Sequence, residues 1–140
     1  FCERQAVFID GRKITVVDTP GLFDTNARNK ETSKEIGESV KHLSPGIHAI
    51  IHIMQLGHFT REEKEVAKEI EKIFRFEAKK YMIFLFTRKE DLEEKTLEEF
   101  LSNGDKDLWS LIQTCGDQRL AFNNKAEGNE HLLRCLSCLK

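Results

Sequence analysis

The chain has 140 residues, 39% hydrophobic and 33% charged, a mixture that supports one folded domain with its own core rather than a disordered segment. Lys and Arg number 22 against 24 Asp and Glu, and the resulting net charge of -2 excludes the broad basic face that nucleic acid or an anionic membrane demands. The longest apolar run, 81–86, is far short of a membrane span, and Phe1-Cys2-Glu3-Arg4 has no apolar stretch behind its charges, so the expectation is a cytoplasmic protein with reduced thiols, cut abruptly at Phe1.

Ala6-Val7-Phe8-Ile9, Asp10-Gly11 and Ile14-Thr15-Val16-Val17 predict a β-hairpin, because Asp-Gly supplies the positive φ that a tight turn requires. A breaker-rich loop, 18–25, follows. Ile36, Val40 and Leu43 then recur at helical spacing, and Ser44-Pro45-Gly46 ends that helix. Residues 48–56 read as a buried strand whose apolar body is Ile50, Ile51, Ile53 and Met54. Thr60 with Glu63 forms a capping box for a second helix, with Val66, Ile70, Ile73 and Phe74 as its stripe and Glu65–Lys68 and Glu69–Lys72 as pairs on the wet face. Residues 81–86 lack polar alternation, so this strand should be covered on both faces. Helical stretches around 97–101 and 108–112, a short strand at 119–122 and a closing helix at 128–140 complete the chain. A zinc site of Cys115, His131, Cys135 and Cys138 is conceivable, but Leu132, Leu136 and Leu139 make the same segment amphipathic, and packing is the preferred role for these cysteines.

Alternating strands and helices of these lengths imply a mostly parallel sheet flanked by helices, with ligands outside the carboxyl ends of the strands. Three polar motifs fall there. Asp18-Thr19-Pro20-Gly21 closes a hydrophobic strand with an acid that can hold Mg²⁺ through water, and its glycine admits a main-chain N–H to a terminal phosphate. Alone, the tetrapeptide is equally an ordinary strand-ending turn. Thr87-Arg88-Lys89-Glu90-Asp91 follows the buried strand. Its aspartate can accept from N1–H and the exocyclic amine of guanine, a donor pair that adenine lacks, while the stem of Lys89 lies along the base. A solvated charge run at a helix start accounts for the same five residues. Ala121-Phe122-Asn123-Asn124-Lys125 offers a main-chain N–H and asparagine side chains to a base, or simply a turn.

Taken together and in this order, the motifs resemble those of the immunity-associated GTPases, the IAN or GIMAP family with its AIG-type G domain. Residues 18–25 resemble the family's second switch, and Gly46-Ile47-His48-Ala49-Ile50 through Gln55-Leu56-Gly57-His58-Phe59-Thr60 resembles its own box. Thr87-Arg88-Lys89-Glu90-Asp91-Leu92 is similar to its guanine motif, with arginine in place of the asparagine usual in small GTPases, and Phe122-Asn123-Asn124-Lys125-Ala126 to its base loop. The resemblance implies a Ras-like P-loop NTPase fold that binds GTP or GDP with Mg²⁺. Asp18 would be the metal-side acid and Gly21 the γ-phosphate sensor. Arg88, Lys89, Glu90 and Asp91 would frame the base, and Asn123 and Asn124 would close over it. Self-association of G domains, and organelle membranes reached through segments outside 1–140, also follow from the resemblance.

Two departures qualify it. None of the eight glycines is followed by lysine, so the signature G-x-x-x-x-G-K-[S/T] is absent, and the resemblance places that loop, the first strand and the first switch before Phe1. Residues 1–140 then form a partial domain starting at the second strand, with free edges on the strand ending at Asp18 and on 48–56. Leu22 stands where small GTPases carry the water-orienting glutamine, which implies slow hydrolysis. His58 stands where relatives often carry arginine; it is either a cation offered to a partner's active site or a surface loop histidine, the latter preferred. The competing function is a nucleotide-free module that associates with related G domains.

Overall fold

The computed structural model describes residues 3–19, 29–41, 46–74, 76–123 and 125. Strands β1 (Glu3–Ile9) and β2 (Arg12–Asp18) form an antiparallel hairpin in which Ile9 pairs with Arg12. Asp10 and Gly11 take φ of 48° and 74°, two consecutive left-handed residues whose twist matches that of the strands, as Asp-Gly predicts. Helix α1 (Asn29–Lys41) lies against α2 (Arg61–Phe74) and buries Ile36. Val40's side chain and residues 42–45 lie outside the described part, as does the closing helix expected at 128–140 together with His131, Cys135 and Cys138.

The second sheet consists of β3 (Ile50–Gln55), β4 (Met82–Thr87) and β5 (Arg119–Ala121), parallel and in that order. The α2 crossover joins β3 to β4, and α3 (Leu97–Ser102) with α4 (Lys106–Thr114) joins β4 to β5. One face carries the core: Met54, Met82, Phe84 and Phe86 from the strands meet Ile70, Leu101, Leu108, Ile112 and Cys115. Cys115 is wholly buried at the end of α4, so this thiol fills space as a small hydrophobe. Strand β4 is the most buried of the three: Met82, Phe84 and Phe86 are buried on the core face, and on the other face Ile83 is buried and Leu85 half-buried, close to the two-sided cover that its unbroken apolar run predicts.

Strand β3 departs from the expectation of a strand buried throughout. Its residues alternate, with His52 and Met54 buried, while Ile51 and Ile53 are 52% and 62% exposed. The pleat sends alternate side chains to opposite faces, and the face that carries Ile51 and Ile53 is left open among the described residues. His52, buried in place of the exposed isoleucines, lies 5.6 Å centroid to centroid from Phe84. The outer edges of β2 and β3 are unpaired among the described residues, and the two sheets are separate.

The helix starts follow capping chemistry. At α3 both arms of a capping box form: Thr96 Oγ1 accepts from Glu99 N–H at 3.1 Å, and the Glu99 carboxylate accepts from Thr96 N–H at 2.9 Å. The box expected at α2 is half made. Glu63 N–H donates to Thr60 Oγ1 at 3.4 Å, but Glu63 Oε2 is buried without a hydrogen bond. On the wet face Lys72 pairs with Glu69 as expected, while Glu65 pairs with Arg61 at 3.8 Å rather than with Lys68. Lys64 ties α2 to the start of α4, reaching Asp107 at 2.8 Å and Asp105 at 3.3 Å, while Asp105 caps α4 through the N–H groups of Asp107 and Leu108.

Candidate nucleotide-base site

Thr87, the last residue of β4, is locked to β3: its hydroxyl donates to the Met54 carbonyl at 3.4 Å, and its carbonyl accepts from Leu56 N–H at 3.1 Å. The chain then reverses sharply. Arg88 adopts φ 63° and ψ 46°, a left-handed conformation costly for any residue with a Cβ, and a 3₁₀ turn over Lys89–Leu92 follows. Asp91 N–H donates to the Arg88 carbonyl at 2.9 Å, and Leu92 is buried in the core, so the turn is pinned at its start and its end.

The turn presents Asp91 beside Arg88. Arg88 Nε lies 2.9 Å from Asp91 Oδ2, and Nη2 donates to Oδ1 at 3.3 Å, so both carboxylate oxygens face a planar two-donor fork. This pairing escaped the sequence reading; opposite charges three residues apart were its only signal.

The loop after β5 is stitched to this turn. Phe122 N–H donates to the Phe86 carbonyl at 2.7 Å, extending the ladder by one residue, and the Phe122 carbonyl accepts from Lys89 N–H at 2.9 Å. Asn123 Oδ1 accepts from Lys125 N–H at 2.9 Å, a side-chain turn that folds the loop back on itself. Lys125 Nζ stands 3.8 Å from Glu90 Oε1, while Glu90 Oε2 is buried without a hydrogen bond. Thus Arg88, Lys89, Glu90, Asp91 and Asn123 sit on two joined loops at the carboxyl ends of β4 and β5. Lys125, whose role the sequence did not disclose, bridges them.

The remaining candidates stand apart. Asp18 ends β2 opposite Glu3, exposed, with no side-chain hydrogen bond or ion pair among the described residues. Gly21, Leu22 and Asn124 lie outside the described residues. His58 follows β3, lines a cavity of about 240 Å³ with Phe59, Phe86 and Phe100, and acts electrostatically on Glu63 in the first turn of α2. The Glu63 carboxyl is raised above its ordinary range by burial, an effect that His58 partly offsets. Among the described residues no cluster of three or more His, Cys, Asp or Glu is placed to hold a metal, and no helix is long and apolar enough to cross a membrane.

A parallel sheet flanked by helices, with polar loops gathered at its strand carboxyl ends, is the α/β arrangement that binds ligands at those ends. Residues 1–134 match the model of the AIG1 family; the chain belongs to that family, and the match makes its fold a P-loop GTPase-type G domain. It is 34% identical over 140 residues to the human GTPase IMAP family member 8, covering 99% of this chain and 21% of that protein. It is also 37% identical over 128 residues to the Arabidopsis thaliana immune-associated nucleotide-binding protein 9, covering 89% and 37%, and 34% identical over 125 residues to protein 5 of the same series, covering 86% and 42%. The chain therefore spans about a fifth of the human relative.

Proposed function

We propose that this chain supplies the guanine-reading part of a G domain that binds GTP and GDP with Mg²⁺. The names of the relatives, GTPase and nucleotide-binding protein, support nucleotide binding. The observation that carries the guanine reading is the Asp91 carboxylate, held on a pinned turn with both oxygens turned toward a planar pair of N–H donors, those of Arg88. Guanine presents such a pair through N1–H and its exocyclic amine, the same donor arrangement that the Arg88 guanidinium offers to Asp91. Lys89 lays its stem beside the base, Glu90 and Lys125 hold the two loops together, and Asn123 with Asn124 closes the far side. Asp18, an exposed acid at a strand end, suits a metal held through water, and Gly21 suits the terminal phosphate. With Leu22 in the place of a water-orienting glutamine, hydrolysis is slow, and the complete domain acts as a self-associating switch more than as a fast enzyme.

Titration with fluorescent GDP in the presence and absence of Mg²⁺ tests the reading. Asp91→Asn should lower GDP affinity at least ~100-fold and transfer preference to the xanthine nucleotide, whose 2-oxo group accepts where guanine donates. Retained guanine preference in D91N removes Asp91 from base recognition. Binding of a related G domain by a chain that takes up no nucleotide favours the interaction module instead.

A further inference from the structure

We propose that Arg88 is a built-in surrogate for the guanine edge, occupying Asp91 whenever the base is absent. The inference rests on the guanine reading of Asp91 given above. The guanidinium Nε–H and Nη2–H form two side-by-side donors directed at Oδ2 and Oδ1, at 2.9 and 3.3 Å. The guanine edge is the same chemical object, two adjacent N–H groups on one planar conjugated frame, and it requires the same two oxygens. Both cannot be satisfied together, so base entry must displace Arg88.

The main chain favours this closed arrangement. Arg88 is held in the left-handed region between a strand end fixed by Thr87 and a turn closed by its own carbonyl, a conformation that side chains other than glycine adopt at a cost. That geometry brings the guanidinium back over the residue three places on. The pair is also weak enough to yield. The Arg88 and Asp91 side chains are 51% and 39% exposed, which places the pair among solvated ion pairs of small net strength. Arg88 thereby acts as a competing internal ligand: it keeps the acid paired in the empty protein and lowers apparent guanine affinity by the fraction of time that it occupies the site. Adenine has no donor pair with which to displace it.

The test compares the wild type with Arg88→Ala and Arg88→Lys in fluorescent-GDP titrations, together with the ¹⁵N-resolved Nε–H resonance of Arg88. Removing the competitor should tighten GDP binding roughly two- to fivefold in R88A. R88K, which keeps the charge without the fork, should fall between the two. In the nucleotide-free protein the Nε–H resonance should shift on D91N, and in the wild type it should shift the same way when GDP is added. Unchanged or weakened GDP binding in R88A overturns the proposal, as does an Nε–H resonance indifferent to D91N. The guanine reading fails separately, by D91N keeping its preference for GDP over the xanthine nucleotide, and that result also ends the surrogate role whatever R88A shows.

Discussion

The main-chain N–H of Lys89 donates to the carbonyl of Phe122 at 2.9 Å, so the turn after β4 and the loop after β5 are one structural unit. Phe122 is itself fixed to β4 by the bond from its N–H to Phe86, which makes the join an extension of the sheet rather than a surface contact. A base held between these loops would find its two sides set by a single hydrogen-bonded frame.

Loosening one loop should therefore be felt in the other. Asn123→Ala deletes the acceptor of Lys125 N–H, a bond worth about 0.5–1.5 kcal/mol. Amide exchange at Lys89, which the substitution does not touch, should accelerate together with that at Phe122, and GDP affinity should fall by a fewfold. Exchange at Lys89 that stays slow while Lys125 speeds up would mean that the loops move independently.

How far the sequence disclosed this arrangement differs from element to element, for physical reasons. The Asp-Gly turn and the apolar run of β4 were readable because each depends on local chemistry alone: a positive φ in one case, six apolar residues without a polar break in the other. Strand β3 was not, since its Ile-Ile-His-Ile-Met run is nearly as apolar as β4, and only the folded structure shows that the face carrying Ile51 and Ile53 is open. The motifs fall at strand ends as their positions along the chain imply, and two of the three meet. The Arg88–Asp91 pairing stayed hidden because it depends on a left-handed arginine, which no propensity favours.

The alternation in β3 gives opposite expectations for adjacent residues. Met54 is 2% exposed in the core, so Met54→Ala should cost about 2–5 kcal/mol in urea denaturation. Ile53→Lys, on the open face, should change stability by no more than about 0.5 kcal/mol and reduce self-association, because a charge on an edge strand resists pairing with another chain. A large loss in I53K would show that this face is covered in solution.

Glu63 carries a burial penalty without its capping reward. Its carboxyl is raised by desolvation, and Oε2 has no hydrogen bond, so the charged form is held less well in the folded chain than in the unfolded one. Stability is therefore reduced at pH above the folded-state titration and recovers as the group protonates. Glu63→Gln removes the charge but keeps the shape, and should raise the melting midpoint by ~1–3 °C at pH 7. The advantage should fade as acid protonates the carboxyl in both folded and unfolded chains. A gain that persists in acid would point to packing rather than charge.

His52 sets the chain's response to acid. Burial against Phe84 lowers it from 6.5 to about 4, and its Nδ1 has no hydrogen-bond partner, so the folded protein holds the ring neutral. The unfolded chain protonates near 6.5 and the folded one only near 4, so between these values acid draws protons onto the unfolded state and stability falls. Above 6.5 the contribution is complete, and below about 4 no more is lost. The full difference corresponds to roughly 3 kcal/mol at the pKa-to-energy conversion. His52→Leu keeps an apolar side chain of similar reach on the covered face and removes the titration. Urea midpoints measured from pH 7 to 4 should decline more steeply for the wild type than for H52L, and the two curves should run parallel above pH 7. Parallel curves across the whole acid range would place the histidine in contact with water, and the acid sensitivity of the fold would then lie with its carboxylates.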